Sequence, residues 1–71
     1  MTSYYALIDF EKGETIKNCS SIARYKNGLF EKLENKEWVE DTSLFAIFIG
    51  EFWDYQSIDE ITARKIIKRL S

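Results

Sequence analysis

The stretch "YKNGLFEKLENKEWVED", residues 25–41, decides the fold of this chain of 71 residues. Its Asn27-Gly28 dipeptide lies between residues that favour strands, which is the strongest short-range indication of a β-hairpin that a sequence offers. Both positions tolerate the positive φ angles of a type I′ turn. The sequence therefore predicts a tight hairpin between a strand at 19–26 and a strand at 29–34.

A two-residue turn also fixes which residues face each other across the hairpin. Every pair in this register is chemically compatible, and such pairs each stabilise by roughly 0.2–1 kcal/mol. The pairs are Lys26 with Leu29, Tyr25 with Phe30, Arg24 with Glu31, and Ile22 with Leu33. A second turn at Asn35-Lys36 then leads into a strand at 37–40, which places Trp38 opposite Leu33. We expect a meander in which Trp38 anchors the core.

The segment "SYYALIDF", residues 3–10, is predicted to be a strand with two apolar faces. Alternation along a strand places Tyr4, Ala6, Ile8 and Phe10 on one face, and Tyr5 and Leu7 on the other. A strand that is apolar on both faces is expected inside a sheet, or between a sheet and a layer of helix. We therefore place it centrally, followed by a polar connection at 11–18.

Residues 41–50 combine helix signals with an apolar run that also suits a buried strand. Asp41 is a good helix N-cap, and Gly50 suits the position after a helix end. The run between them is apolar almost all round, so a helix here is expected to be largely buried. Periodicity does not separate a helix from a strand at 43–49. We favour the helix because of Asp41 and Gly50, and the strand remains the alternative.

The C-terminal segment is predicted to be a helix. Ser57, with Glu60 three residues later, is read as a capping box at its start. Acids occupy the first turn and bases the last two turns, which matches both ends of the helix dipole. The packing stripe consists of Ala63, Ile66, Ile67 and Leu70.

These elements predict a single small α+β domain over residues 1–71. A chain of 71 residues is expected to form one domain at most. It buries only about 60% of the surface that its unfolded form exposes, so its stability is expected to be marginal. The expected fold is an antiparallel three- or four-stranded meander, followed by a short helix and a C-terminal helix packed on one sheet face. Two short helices leave apolar sheet surface uncovered, so a homodimer is an open alternative.

Missing residue types exclude most catalytic and metal chemistry. The chain contains no histidine, which removes the usual general base near neutral pH and every nucleophile system that needs one. The single cysteine, Cys19, forms neither a dithiol motif nor a cysteine-rich zinc site. The three glycines are far apart and make no phosphate-binding loop. We therefore expect no enzyme activity, no catalytic residue, no cofactor and no metal.

Signals of secretion and of membrane insertion are also missing from the sequence. Its first residues do not read as a cleavable leader, and no apolar run approaches the roughly 18 residues that a membrane span needs. One cysteine allows no internal disulfide, on which small secreted domains usually depend. We expect a cytoplasmic protein without a membrane partner.

Charges are unevenly distributed along the chain. Residues 37–60 contain seven acids and no lysine or arginine, whereas residues 61–71 contain four bases and no acid. The acidic block suits a solvated face, docking of a basic protein partner, or imitation of a nucleic acid that inhibits a DNA- or RNA-binding protein. The four bases are Arg64, Lys65, Lys68 and Arg69, which a second hypothesis assigns to nucleic-acid binding. A pI near 5.0 argues against that hypothesis.

The segment "EFWDY", residues 51–55, is the leading candidate for a binding site. Its aromatic side chains either close the core or anchor a partner, and its acids would steer a basic partner. The candidate partner-binding residues are Trp53, Phe52, Tyr55, Glu51 and Asp54, with Trp53 as the expected anchor. The expected function is that of a small non-catalytic cytoplasmic protein-interaction or regulatory module. Nucleic-acid binding through the last helix and nucleic-acid mimicry are the alternatives.

Overall fold

The computed structural model describes residues 2–52 and 54–70, which form an α+β fold, as expected. The described strands are β1 (Thr2–Leu7), β2 (Ser21–Lys26), β3 (Leu29–Glu34), β4 (Glu37–Glu40) and β5 (Tyr55–Ile58). The helices are a first 3-10 helix (Phe10–Lys12), a second 3-10 helix (Thr42–Ile47) and an α-helix, α1 (Glu60–Leu70). The antiparallel strands lie in the order β4-β3-β2-β1-β5. Strands β1 to β4 form the meander, and β5 pairs with β1, at the edge of the meander opposite to β4.

The hairpin predicted at Asn27-Gly28 is confirmed. Asn27 has a φ of 52° and Gly28 a φ of 79°, so both have the positive φ that a type I′ turn needs. The register also agrees with the prediction, because Arg24 pairs with Glu31 and Tyr25 pairs with Phe30. After the second turn, Leu33 pairs with Trp38, as expected.

Strand β1 lies inside the sheet, between β2 and β5, as its two apolar faces predicted. Ala6 on one face is fully buried, and Tyr5 and Leu7 pack into a core cluster on the other. The strand ends at Leu7, earlier than predicted, because the carboxylate of Asp9 caps the first 3-10 helix. That carboxylate accepts hydrogen bonds from the backbone N–H groups of Glu11 and Lys12.

The two faces of the sheet are covered by different elements. Helix α1 packs against β1 and β2 on one face, and the second 3-10 helix packs against β3 on the other. The core on the α1 face consists of Ala6, Ile8, Cys19, Ile22, Leu33, Ala63 and Ile66. The core on the opposite face consists of Ala23, Phe30, Leu44 and Ile47. Each face is apolar and therefore needs its own cover.

Residues 42–47 are helical, and the strand alternative does not apply. The Asp41 carboxylate accepts a hydrogen bond from the backbone N–H of Ser43, as expected of an N-cap, and Gly50 has a φ of 74°. The helix is of the 3-10 type, in which residues three apart lie on the same side. Leu44 and Ile47 have this spacing, and both are buried.

The capping box predicted at Ser57 is wrong. Ser57 lies within β5, where it pairs with Tyr5 of β1. Helix α1 is capped instead by Asp59, whose carboxylate accepts a 2.7 Å hydrogen bond from the backbone N–H of Thr62. A hydrogen bond from the Thr62 side chain and the one from its backbone N–H hold the pKa of Asp59 below its usual value of 3.8. Asp is as good an N-cap as Ser, so the residue type does not decide where the helix begins. The pairing of Ser57 with β1 decides it, because residue 57 then belongs to the strand and Asp59 caps the helix.

Candidate protein-binding site

Residues 51–55 connect the second 3-10 helix to β5, and their backbone is held at both ends. The backbone N–H groups of Glu51 and Phe52 donate to the carbonyl of Ala46 at 3.0 Å and 3.3 Å. At the other end, the carbonyl of Asp54 accepts a 2.9 Å hydrogen bond from the backbone N–H of Ile8. Glu51, Phe52 and Asp54 are therefore held to the rest of the fold by backbone hydrogen bonds.

The side chains of this segment lie partly in the core and partly at the surface. Phe52 and Tyr55 are half-buried, with ring centroids 6.1 Å apart, and Tyr55 lies 5.8 Å from the ring of Tyr5. Glu51 and Asp54 are exposed. Trp53, the expected anchor, lies outside the described residues. The assignment of these five residues to partner binding stays a prediction.

An aromatic cluster fills the sheet face that carries the second 3-10 helix. Phe30 is fully buried at its centre. The centroid of its ring lies 4.9 Å from Tyr25, 5.0 Å from Phe45, 5.1 Å from Phe48 and 5.9 Å from Tyr5. Rings at such separations contribute about 0.5–1.5 kcal/mol per pair beyond the burial of their area. Phe30 therefore fixes the positions of the rings around it.

One end of this cluster is open to solvent and forms an apolar patch of Tyr25, Phe45, Phe48 and Ile49. Phe45 is 37% exposed, Phe48 52% and Ile49 70%. The rings of Tyr25 and Phe48 are 5.0 Å apart, so the exposed rings are neighbours and not isolated side chains. Contiguous exposed apolar surface on a monomer often marks an interaction site.

The sequence did not predict this patch. A run that is apolar all round was expected to be buried, but the second 3-10 helix buries only Leu44 and Ile47. The sheet face is already filled by Phe30 and its neighbours, so the outer side of this short helix has nothing to cover it. The sequence did contain one sign of this exposure: the apolar run is wider than the single stripe that a helix buries.

The charges next to the apolar patch in the sequence are acidic. Phe45, Phe48 and Ile49 lie between Asp41 and Glu51, within the stretch at 37–60 that has no lysine or arginine. Lys32 lies on the same sheet face, but its Nζ is 3.9 Å from a carboxylate oxygen of Glu34. Lys26 follows Tyr25 on β2, but its side chain is on the opposite sheet face because residues alternate along a strand. The setting therefore favours a positively charged partner.

The bases of the nucleic-acid hypothesis are only partly free for phosphates. Nη2 of Arg64 lies 3.0 Å from a carboxylate oxygen of Glu60. Nη2 of Arg69 donates a 2.7 Å hydrogen bond to the backbone carbonyl of Cys19, which ties α1 to the start of β2. Lys65 and Lys68 are exposed. This hypothesis remains an alternative prediction.

Trp38 contributes to the packing of the fold. The guanidinium carbon of Arg24 lies 4.1 Å from the centre of the Trp38 ring, and Nε of Arg24 lies 2.8 Å from a carboxylate oxygen of Glu31. The half-buried Trp38 side chain also packs against the core on the α1 face. A cation held over an aromatic face in this way contributes about 0.5–1 kcal/mol at partly exposed sites.

Within residues 2–52 and 54–70, no group of three or more acidic or cysteine side chains is placed to hold a metal ion. In the same part of the chain, no helix is long and apolar enough to cross a membrane. No protein-family model matches the sequence, and comparisons with curated proteins and with solved structures give no match either.

Proposed function

We propose that this chain is a small, non-catalytic cytoplasmic module that binds a basic protein partner through the apolar patch and the adjoining segment at 51–55. The observation that carries the proposal is the exposure of Phe48 and Ile49 at the open end of the aromatic cluster. Full burial of one large apolar side chain stabilises a contact by about 1.5–3 kcal/mol. Phe48 and Ile49 are therefore the expected anchors, and Trp53 is a further candidate.

The packing of the patch supports this proposal. The rings of Tyr25, Phe45 and Phe48 each lie within 5.1 Å of the buried Phe30 ring, so they are ordered before any partner binds. Ordering a side chain at an interface otherwise costs about 0.5–1.5 kcal/mol. A patch that is already ordered avoids much of this cost.

The charges favour a basic partner over a second copy of the chain. A two-fold dimer brings the same surface of each copy together. It would therefore bring the acids that flank the patch, Asp41 and Glu51, from both copies to one interface. Like charges that face each other across an interface oppose association, whereas a basic partner gains from the same acids.

A photo-crosslinking phenylalanine analogue in place of Ile49 tests the proposal in the native cytoplasm. Ile61 is the matched control position, because it is 67% exposed but lies on α1, on the other side of the sheet. We expect a discrete adduct with a basic protein from position 49 and none from position 61. Identical adducts from both positions, adducts with a second copy only, or no adduct would refute the proposal.

The salt dependence of binding separates this proposal from the nucleic-acid alternative. Binding to phosphates weakens steeply as salt rises, because each contact releases counterions. An interface anchored by apolar side chains responds less, since salt screens only the charges around it. Formation of the adduct when irradiation is carried out in about 0.5 M salt is the expected result. Failure of the adduct to form at that salt, together with recovery of bound nucleic acid at low salt, favours the alternative.

A further inference from the structure

Strand β5 is an edge strand that is open to pairing with another chain. The opposite edge, β4, begins and ends with an acid, Glu37 and Glu40, and such charges discourage the addition of a strand. Strand β5 has the sequence Tyr-Gln-Ser-Ile, with no charge, no proline and no glycine. Of the two edges, β5 is therefore the one without protection.

The hydrogen bonds to β1 determine which backbone groups of β5 remain available. Ile8 and Asp54 are joined by a backbone hydrogen bond, and hydrogen-bonded and non-bonded pairs alternate along an antiparallel ladder. Gln56 and Ile58 therefore direct their N–H and C=O groups to β1. Tyr55 and Ser57 direct theirs to the free edge, which offers two donors and two acceptors to an added strand.

Both faces of the sheet have an open groove next to this edge. One groove, of about 520 Å³, is lined by Phe52, Tyr55, Gln56 and Ser57. The other, of about 540 Å³, lies on the opposite side and is lined by Phe10 and Ile16 together with the oppositely charged Glu14 and Lys17. Consecutive side chains of an added strand point to opposite faces, so they would enter the two grooves in turn.

Charge decides what occupies the edge. Asp54 directly precedes β5 and Asp59 directly follows it, and both are exposed. A symmetric antiparallel pairing with a second copy that sets Tyr55 opposite Ser57 of that copy sets Asp54 opposite Ile58, one residue from Asp59 of that copy. Acids of both copies then lie near each end of the paired strands, whereas an extended segment with a base at each end brings opposite charges there.

We propose that the free edge of β5 binds an extended segment of a protein partner, with about four apolar residues flanked by lysine or arginine at both ends. The segment adds a sixth strand to the sheet, pairs with the backbone of Tyr55 and Ser57, and places its side chains in the two grooves. This surface shares Phe52, Asp54 and Tyr55 with the segment at 51–55 but contains no residue of the apolar patch, so the proposal stands whether or not the patch itself binds a partner.

A synthetic peptide of sequence Lys-Arg-Val-Ile-Val-Ile-Arg-Lys tests the proposal on the full ¹⁵N-labelled chain. Two N-methylated versions test backbone pairing. One is methylated at the first and third of the four central residues, and the other at the second and fourth. We expect exactly one of them to lose binding, because only one set of N–H groups faces β5. Hydrogen exchange of the Tyr55 and Ser57 amides should slow at least about tenfold in the complex, because two backbone bonds form there.

Two variants and one control peptide complete the test. Ser57→Pro removes a donor of the free edge without removing a bond to β1, and is expected to weaken binding about fivefold or more. Asp54→Lys is expected to weaken it about two- to fivefold, and a peptide with glutamates at its ends is expected not to bind.

Equal binding of both N-methylated peptides, or of the acidic peptide, would overturn the proposal. So would perturbation of amides elsewhere than β5 and its two grooves, or no binding at millimolar peptide. In the free chain, protection of the Tyr55 and Ser57 amides from hydrogen exchange that increases with protein concentration would instead indicate a second copy at this edge. None of these outcomes bears on crosslinking from position 49, which tests the apolar patch.

Discussion

Gly28→Val tests the hairpin on which the rest of the sheet depends. Gly28 has a φ of 79°, and a Cβ added there meets nothing within 4 Å. The substitution therefore causes no collision with another part of the structure. Any loss of stability reflects the conformation of the backbone alone, because a β-branched residue resists positive φ.

The expected loss follows from two opposing effects. A left-handed conformation costs an ordinary residue roughly 1–2 kcal/mol, and a β-branched residue lies at the upper end. Replacing glycine reduces the freedom of the unfolded chain, which returns about 0.5 kcal/mol. The net loss is about 1.5 kcal/mol, which lowers the urea midpoint by about 1.5 M if the slope is near 1 kcal/mol per M.

Urea unfolding followed by circular dichroism measures this loss, and Gly28→Asn is the matched control. Asparagine tolerates positive φ, so the control is expected to lose well under 1 kcal/mol. A Gly28→Val midpoint equal to that of the wild type would refute the assignment of the turn. Equal losses for valine and asparagine would show that the conformation of this residue is not the cause.

Two further predictions concern α1. Arg69→Met keeps the aliphatic stem but loses the hydrogen bond to the Cys19 carbonyl, so we expect a loss of about 1 kcal/mol in urea unfolding. Lys68→Met, at an exposed position, should change stability by less than about 0.5 kcal/mol, and equal effects would contradict a role for the bond. Because the hydrogen bonds from Thr62 lower the pKa of Asp59, its contribution to stability is complete above about pH 4 and is lost below that pH. Asp59→Ala should therefore lower the thermal midpoint at pH 6 more than at pH 2.5, and an equal difference at both would contradict the cap.

The sequence predicted those parts of the fold that depend on neighbouring residues. The Asn27-Gly28 turn and the pairing of Tyr25 with Phe30 follow from a few adjacent positions, and both are confirmed. Asp41 likewise caps the second 3-10 helix through a bond to Ser43, only two residues away. Local chemistry is sufficient for such features because the chain offers few competing conformations there.

Strand β5 was missed because its pairing is not local. The residues at 55–58 lie about fifty positions from β1 in the sequence, and four residues show too little alternation to indicate a strand. Ser57 and Glu60 also imitate a capping box, which placed the helix start two residues too early. The hydrogen bond from Arg69 to the Cys19 carbonyl joins residues fifty apart and has no signal in the sequence.

The assignment of residues 51–55 to partner binding stays a prediction. Phe52 and Tyr55 are half-buried, and the acids Glu51 and Asp54 are exposed. The exposure of Phe48 and Ile49 was not predicted, because an apolar run alone does not reveal how much of it a neighbouring sheet covers. Only the packing around Phe30 decides which side remains exposed.

The central claim is that the exposed side of the apolar patch, where Ile49 is 70% exposed, binds a partner. Titration of the captured partner into Ile49→Asp, beside Ile61→Asp and the wild type, tests it most directly. We predict that Ile49→Asp unfolds within about 0.5 kcal/mol of the wild type but binds at least about tenfold more weakly. Ile61→Asp should bind like the wild type. Unchanged binding by Ile49→Asp, or a loss of folding stability above about 1.5 kcal/mol, would contradict the claim.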